Sequence, residues 1–125
     1  MSDNKSEGKA IVLFGHGSRD PLWRLPMDAV AQRIRLRQPD TPVLCAFLEL
    51  QQPGLTEAAA DHAQAGARRI TVVPMFLGTG RHAREDLPVL IEAVRRAHPD
   101  VEFTLQAAVG EDPRMLDLLA RIALG

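Results

Sequence analysis

The chain has 125 residues, 46% hydrophobic and 25% charged, with a formal net charge of −1. That length holds one domain and leaves nothing over for a second. A near-neutral chain offers no basic field for nucleic acid, and no apolar run reaches the roughly 18–20 residues that span a bilayer.

The polar stretch Met1–Lys9 lacks the apolar core of a signal peptide. Residues 1–9 are therefore expected to form a flexible tail on a domain of residues 10–125, in the cytoplasm. Ala10–Phe14 (AIVLF) is a continuous apolar run, as a parallel strand covered on both faces requires. Pro26 suits the first turn of a helix, and Met27, Val30, Ala31 and Ile34 follow at helical spacing. Pro39-Asp40-Thr41-Pro42 ends that helix, because a residue before proline is pushed out of the α region. Val43–Leu48 is a second buried strand; its Cys45, the only cysteine, can form no intrachain disulfide and reads as an inert core residue.

After Pro53-Gly54, Leu55, Ala58, Ala59 and Ala63 mark a thin apolar face on a second helix that closes near Gly66. Ile70–Leu77 is a third strand, with Pro74 admissible only near its end or at a bulge. Leu87, Leu90, Ile91 and Val94 give a third helix its core stripe, stopped by His98-Pro99. Val101–Ala107 alternates and reads as an edge strand. Asp112-Pro113 opens a final helix with Met115, Leu118, Leu119 and Ile122 expected inward. The order β-α-β-α-β-α-β-α with right-handed crossovers predicts an α/β fold: one doubly wound four-stranded parallel sheet, order 2-1-3-4, with helices on both faces.

In such sheets ligands bind beyond the carboxyl ends of the strands, near the switch point between strands 1 and 3. Gly15-His16-Gly17-Ser18-Arg19 follows strand 1, Glu49 ends strand 2, and Gly78-Thr79-Gly80-Arg81-His82 follows strand 3. Adjacent strands lie about 4.8 Å apart, so side chains from the three ends are expected to converge. Two imidazoles and a carboxylate on an open rim suit a borderline divalent metal such as Co²⁺, Fe²⁺, Ni²⁺ or Zn²⁺. Three protein ligands leave coordination positions free, as a catalytic site needs.

Each residue also has a plainer reading: His16 as a turn residue, Glu49 as a solvated strand-end charge, His82 as a neighbour of a helix cap. Asp86 lies one helical turn from His82 and either orients its imidazole or, with Glu85, complements the helix N-terminus. Trp23 either caps the core or walls a flat ligand. His62 and His98 read as structural. Of the 15 basic residues only Lys5 and Lys9 are lysines; arginine is the better residue for forked bonds to carboxylates, although a GC-rich coding sequence explains the bias as well.

Taken together, Gly15–Arg19, Phe47-Leu48-Glu49-Leu50 with Pro53 behind it, and Pro74–His82 with Asp86 and Pro88 resemble the pattern of the CbiX-type class II tetrapyrrole chelatases. The resemblance runs from Ala10 to about Ala107 and is specific as a set. It implies a sirohydrochlorin chelatase, a lyase-class enzyme that inserts a divalent metal into the macrocycle for cobalamin or siroheme synthesis. Cobalt is expected as the metal, with iron or nickel as alternatives, and no organic cofactor. His16 and His82 match the family's metal-handling histidines, and Glu49 a glutamate that assists metal binding or proton removal. Gly15, Gly17, Ser18, Arg19, Arg24, Arg81 and Arg84 flank them as candidates for gripping the carboxylate-rich substrate. The chain has a single half-domain and resembles the short form, a homodimer with the tetrapyrrole between subunits. The rival readings are a carrier of metal or tetrapyrrole on the same fold, a metal-assisted hydrolase, and a phosphate-binding domain, the last weakened because no lysine follows the glycines.

Overall fold

The computed structural model describes residues 8–125. Four parallel strands, β1 (Lys9–Gly15), β2 (Val43–Phe47), β3 (Arg69–Pro74) and β4 (Glu102–Leu105), form one sheet in the order β2-β1-β3-β4. The helices between and after them are α1 (Leu25–Arg37), α2 (Leu55–Gln64), α3 (Arg81–Ala97) and α4 (Pro113–Leu124). A 3-10 turn at Pro21–Arg24 precedes α1, capped by the Asp20 carboxylate accepting from the Leu22 N–H. The predicted fold class, strand order and all eight elements are present. β1 starts at Lys9, inside the expected tail, whose residues 1–7 lie outside the described residues. β3 is shorter than expected and ends at Pro74, where the lost donor falls on the last rung of the ladder.

The alternation of side chains along the strands builds two cores. Val12, Phe14, Ile70 and Val72 point to one face, where Leu55, Ala58 and Ala59 of α2 and Leu87, Ile91 and Val94 of α3 close over them. Each large apolar side chain buried there contributes roughly 1.5–3 kcal/mol. Leu13, Val43, Cys45 and Phe47 point to the other face and meet Met27 and Ala31 of α1. Cys45 is buried, as expected, and burial pushes its thiol pKa up.

One expectation fails. Met115, Leu118, Leu119 and Ile122 were expected inward, yet α4 buries no residue. Asp112 caps the helix by accepting from the Arg114 N–H at 2.9 Å, but only α1 closes over the second face of the sheet. The α4 apolar stripe is complete in sequence, but Met115 and Leu119 are only half-buried and Leu118 and Ile122 are exposed.

His62 is more than the polar helix residue its neighbours suggest. It is 3% exposed, and its Nε2–H donates to the Ile11 carbonyl of β1 at 2.9 Å. Burial lowers the imidazole pKa below 6.5, against smaller opposing effects of the Ile11 bond and Asp61. The native state thus holds His62 neutral while the unfolded chain protonates it near its ordinary value. The stability this contributes is full above about pH 6.5 and is lost as pH falls through the lower folded value. Urea denaturation at pH 7.5 and 5.5 should show lower stability at 5.5, and His62→Asn should be less stable at pH 7.5 but lose much of that difference.

Candidate metal and macrocycle site

The carboxyl edge of the sheet is built by carrying the β1–β2 ladder past both strands. The Leu48 N–H donates to the Gly15 carbonyl at 2.9 Å, and the Glu49 N–H to the His16 carbonyl at 3.1 Å. His16 and Glu49 therefore leave their strands side by side, and His16 Nε2 lies 3.3 Å from Glu49 Oε2. Both side chains are about half exposed, 45% and 46%, so the pair opens to solvent on a fixed backbone.

Gly17 makes the approach possible. Its φ is +100°, and a Cβ built on it would fall onto the Glu49 carbonyl oxygen. Any side chain would both strain the backbone and force the two segments apart. Beyond it, the Ser18 N–H donates to Gln51 Oε1 at 3.2 Å, a second tie between the same loops. Gln51 was not singled out from the sequence, and a glutamine before another glutamine and a proline carries no signal of that partnership. Gly15 is also constrained, since a Cβ there would meet Met27 Sδ and the Trp23 ring. Trp23 answers both of its readings: its ring packs against Phe47 with centroids 6.3 Å apart, and it remains 40% exposed.

The three expected ligands do not come together as one cluster. Among the described residues, no group of three His, Cys, Asp or Glu side chains is placed to hold a metal ion. His82 is set apart because it is the second residue of α3, beyond the Met75–Gly80 loop, rather than a strand-end residue. It is exposed, as is Asp86 one turn later, and no hydrogen bond joins them. The expected orienting role of Asp86 has no contact behind it.

The flanking arginines divide. Arg24 is spent on structure: its guanidinium bonds the Asp28 carboxylate at 3.0–3.2 Å and stacks over Phe47 at 4.7 Å, and Asp28 raises its pKa. Arg84 Nη1 donates to the Thr79 carbonyl at 2.7 Å and braces the β3–α3 loop. Arg81 pairs loosely with Glu85 at 3.5 Å and is 85% exposed; Arg19 is exposed.

The pair has the geometry of two adjacent ligands of one ion. Donor atoms each about 2.0–2.2 Å from a metal, at octahedral to tetrahedral angles, sit about 2.8–3.6 Å apart, a range that includes the observed 3.3 Å. An imidazole and a carboxylate suit a borderline divalent ion, and two protein donors on an open edge leave most of its coordination sphere to another ligand.

Comparisons with known proteins place the whole described domain in one family. A family model described as CbiX matches residues 10–123. A sirohydrochlorin cobaltochelatase of Methanocaldococcus jannaschii is 28% identical over 141 residues, an alignment covering 94% of this chain and 99% of that one. A sirohydrochlorin ferrochelatase of Priestia megaterium is 33% identical over 112 residues, covering 88% of this chain and 41% of that one. The solved structure of the sirohydrochlorin chelatase SirB from Bacillus subtilis subspecies spizizenii in complex with cobalt superposes with a TM-score of 0.78 at 26% identity, covering 93% of this chain and 50% of that chain. The chain thus spans the whole of one relative and half or less of the other two.

Gly17 supplies the test of this construction. Gly17→Ala should cost about 2 kcal/mol or more in urea denaturation, because the methyl has no room beside Glu49. Gly78→Ala, where nothing lies within 4 Å of the added Cβ, should be tolerated.

Proposed function

The chain belongs to the CbiX family, and from that premise we propose that it is a sirohydrochlorin chelatase acting in the cytoplasm. The observation that carries the reading is the His16–Glu49 pair, 3.3 Å apart and half exposed on the carboxyl edge. In the reaction a divalent ion enters the macrocycle and two pyrrole N–H protons leave, so metal and proton acceptor must both be at hand. An imidazole that binds the ion has no free lone pair on that nitrogen for a proton. His16 therefore holds the ion, and Glu49 shares it loosely and then accepts one pyrrole proton, the second passing to solvent at the half-exposed edge. Loose holding is required: a closed set of four protein ligands would keep the ion.

His82 supplies a further donor from the first turn of α3 when the macrocycle lies between them. Gly78 and Gly80 in the loop before it have open space around them, which leaves the loop room to move. Gly15, Gly17 and Ser18 shape the floor, and Arg19, Arg81 and Arg84 meet the substrate's carboxylates at its rim; of these, Arg19 and Arg81 have the freest side chains. The ion is a substrate and not a resident cofactor. Relatives named for cobalt and for iron both align with the chain, and we assign cobalt because the short relative spanning the whole chain carries that name.

The site is open on one side, and a homodimer closes it. On α4, Leu118 and Ile122 are exposed beside the half-buried Met115 and Leu119, and Leu116 and Leu124 are exposed as well. The sheet face above β3 and β4 is covered by no helix of the same chain, with Thr71 and Val73 half-buried and Thr104 exposed. A second copy brings the cover each surface lacks and occupies the place of the additional chain in relatives of twice the length.

Two measurements test these readings. Under anaerobic conditions, protein with sirohydrochlorin and Co²⁺, Fe²⁺ or Ni²⁺ should metalate faster than the protein-free control, with multiple turnovers. His16→Ala and His82→Ala should each lower that rate by about a hundredfold or more, and Glu49→Gln should lower kcat with little change in macrocycle affinity. Full activity in both histidine variants would remove the proposed site, and macrocycle binding without acceleration would make the protein a carrier. Separately, sedimentation should find a dimer at micromolar concentration and a monomer for Leu118→Glu, which places a charge on the α4 stripe.

A further inference from the structure

Leu50 follows Glu49 and is the only non-glycine residue with a left-handed backbone among the described residues, at φ +68°. The Gln51 N–H donates back to the Glu49 carbonyl at 2.8 Å, closing a three-residue turn of the strained kind. Asparagine or aspartate would ease such a conformation with a side-chain hydrogen bond and glycine would remove the strain, but leucine does neither. The fold gains nothing visible in exchange. The Leu50 side chain is 54% exposed and belongs to neither core. The strained backbone costs free energy on folding and the exposed side chain returns little burial to offset it, and such outliers gather where a ligand is to be met.

The surroundings say what kind of ligand. Leu22 follows β1 and Leu77 follows β3, and they are 67% and 66% exposed. Because β1 lies between β2 and β3, the segments carrying Leu50, Leu22 and Leu77 follow three adjacent strands beyond the carboxyl edge that bears the His16–Glu49 pair, Leu22 within the 3-10 turn Pro21–Arg24. A small metal complex or a phosphate would use no such rim; a broad, flat, apolar face with polar atoms at its centre would.

We propose that Leu50 is a substrate-contact residue, held out by its turn so that its side chain packs on the flat face of the macrocycle beside the point where Glu49 meets the pyrrole nitrogens. This rests on the chelatase reading above. The turn couples the two roles: the Glu49 carbonyl that closes it is the same atom that Gly17 must approach.

The test compares the whole chain with Leu50→Gly, Leu50→Asn and Leu50→Met in sirohydrochlorin titrations, thermal unfolding and steady-state metalation. Glycine and asparagine relieve the backbone and remove the apolar contact, whereas methionine keeps both the strain and the contact. The Gly and Asn variants should bind sirohydrochlorin about tenfold more weakly and raise KM by a similar factor. Their kcat should be little changed and their Tm no lower than that of the unmodified chain, and the Met variant should bind as the unmodified chain does. Undiminished binding by the Gly and Asn variants would overturn the proposal. So would weakened binding by the Gly variant that tracks a loss of Tm while the Asn variant binds normally, which would give Leu50 a purely structural role. An unmodified chain that binds no sirohydrochlorin would overturn the chelatase reading and this proposal with it, whereas unmodified binding with unaffected variants overturns this proposal alone.

Discussion

Two backbone segments leave the carboxyl edge of the sheet closer together than two residues with side chains could. Gly17 lies against the Glu49 carbonyl with no room for a Cβ between them, and most of what the edge can do depends on that contact. It lets the β1–β2 ladder run on to Leu48 and Glu49, it sets the His16 and Glu49 side chains 3.3 Å apart, and it anchors the turn that raises Leu50. The pair is placed by main-chain hydrogen bonds rather than by side-chain packing. Half-exposed groups can therefore keep a fixed geometry without a buried support.

The site combines parts of different stiffness. His16 and Glu49 stand on the continuation of the ladder between β1 and the edge strand β2, tied together by main-chain hydrogen bonds. His82 stands on the first turn of α3 behind a loop with two open glycines. On the proposed reading, a metal that must be taken up and given away would be served by such a division, with two donors held in register and a third brought in from a separate element. Arg24 shows the opposite use of a side chain beside the site. Its bonds to Asp28 and its stacking on Phe47 fix the end of the 3-10 turn.

Coverage of the sheet is uneven. Two helices bury one face, and one helix half-covers the other. α4 has the helical periodicity, the Asp112 cap and the apolar stripe of a core helix, yet its stripe is open. Such a helix is stable only if another surface meets it, and the exposed half-face of the sheet is the complementary deficit.

Several features were legible in the sequence because they depend on local order along the chain. Apolar runs and helical stripes gave the eight elements, Pro-containing segments gave their ends, and the handedness of βαβ units gave the sheet order. The glycines of Gly15–Ser18 and the position of Glu49 located the edge where the site forms. What the sequence could not decide was set by contacts between segments far apart in it. The burial of His62 beneath Ile11, the commitment of Arg24 to Asp28 and Phe47, and the tie from Gln51 to Ser18 all arise only when the elements pack. The same holds for the separation of His82 from its expected partners and for the bare face of α4. Periodicity specifies that a side chain belongs on an apolar face, but only the packed structure decides whether the chain itself supplies the surface opposite.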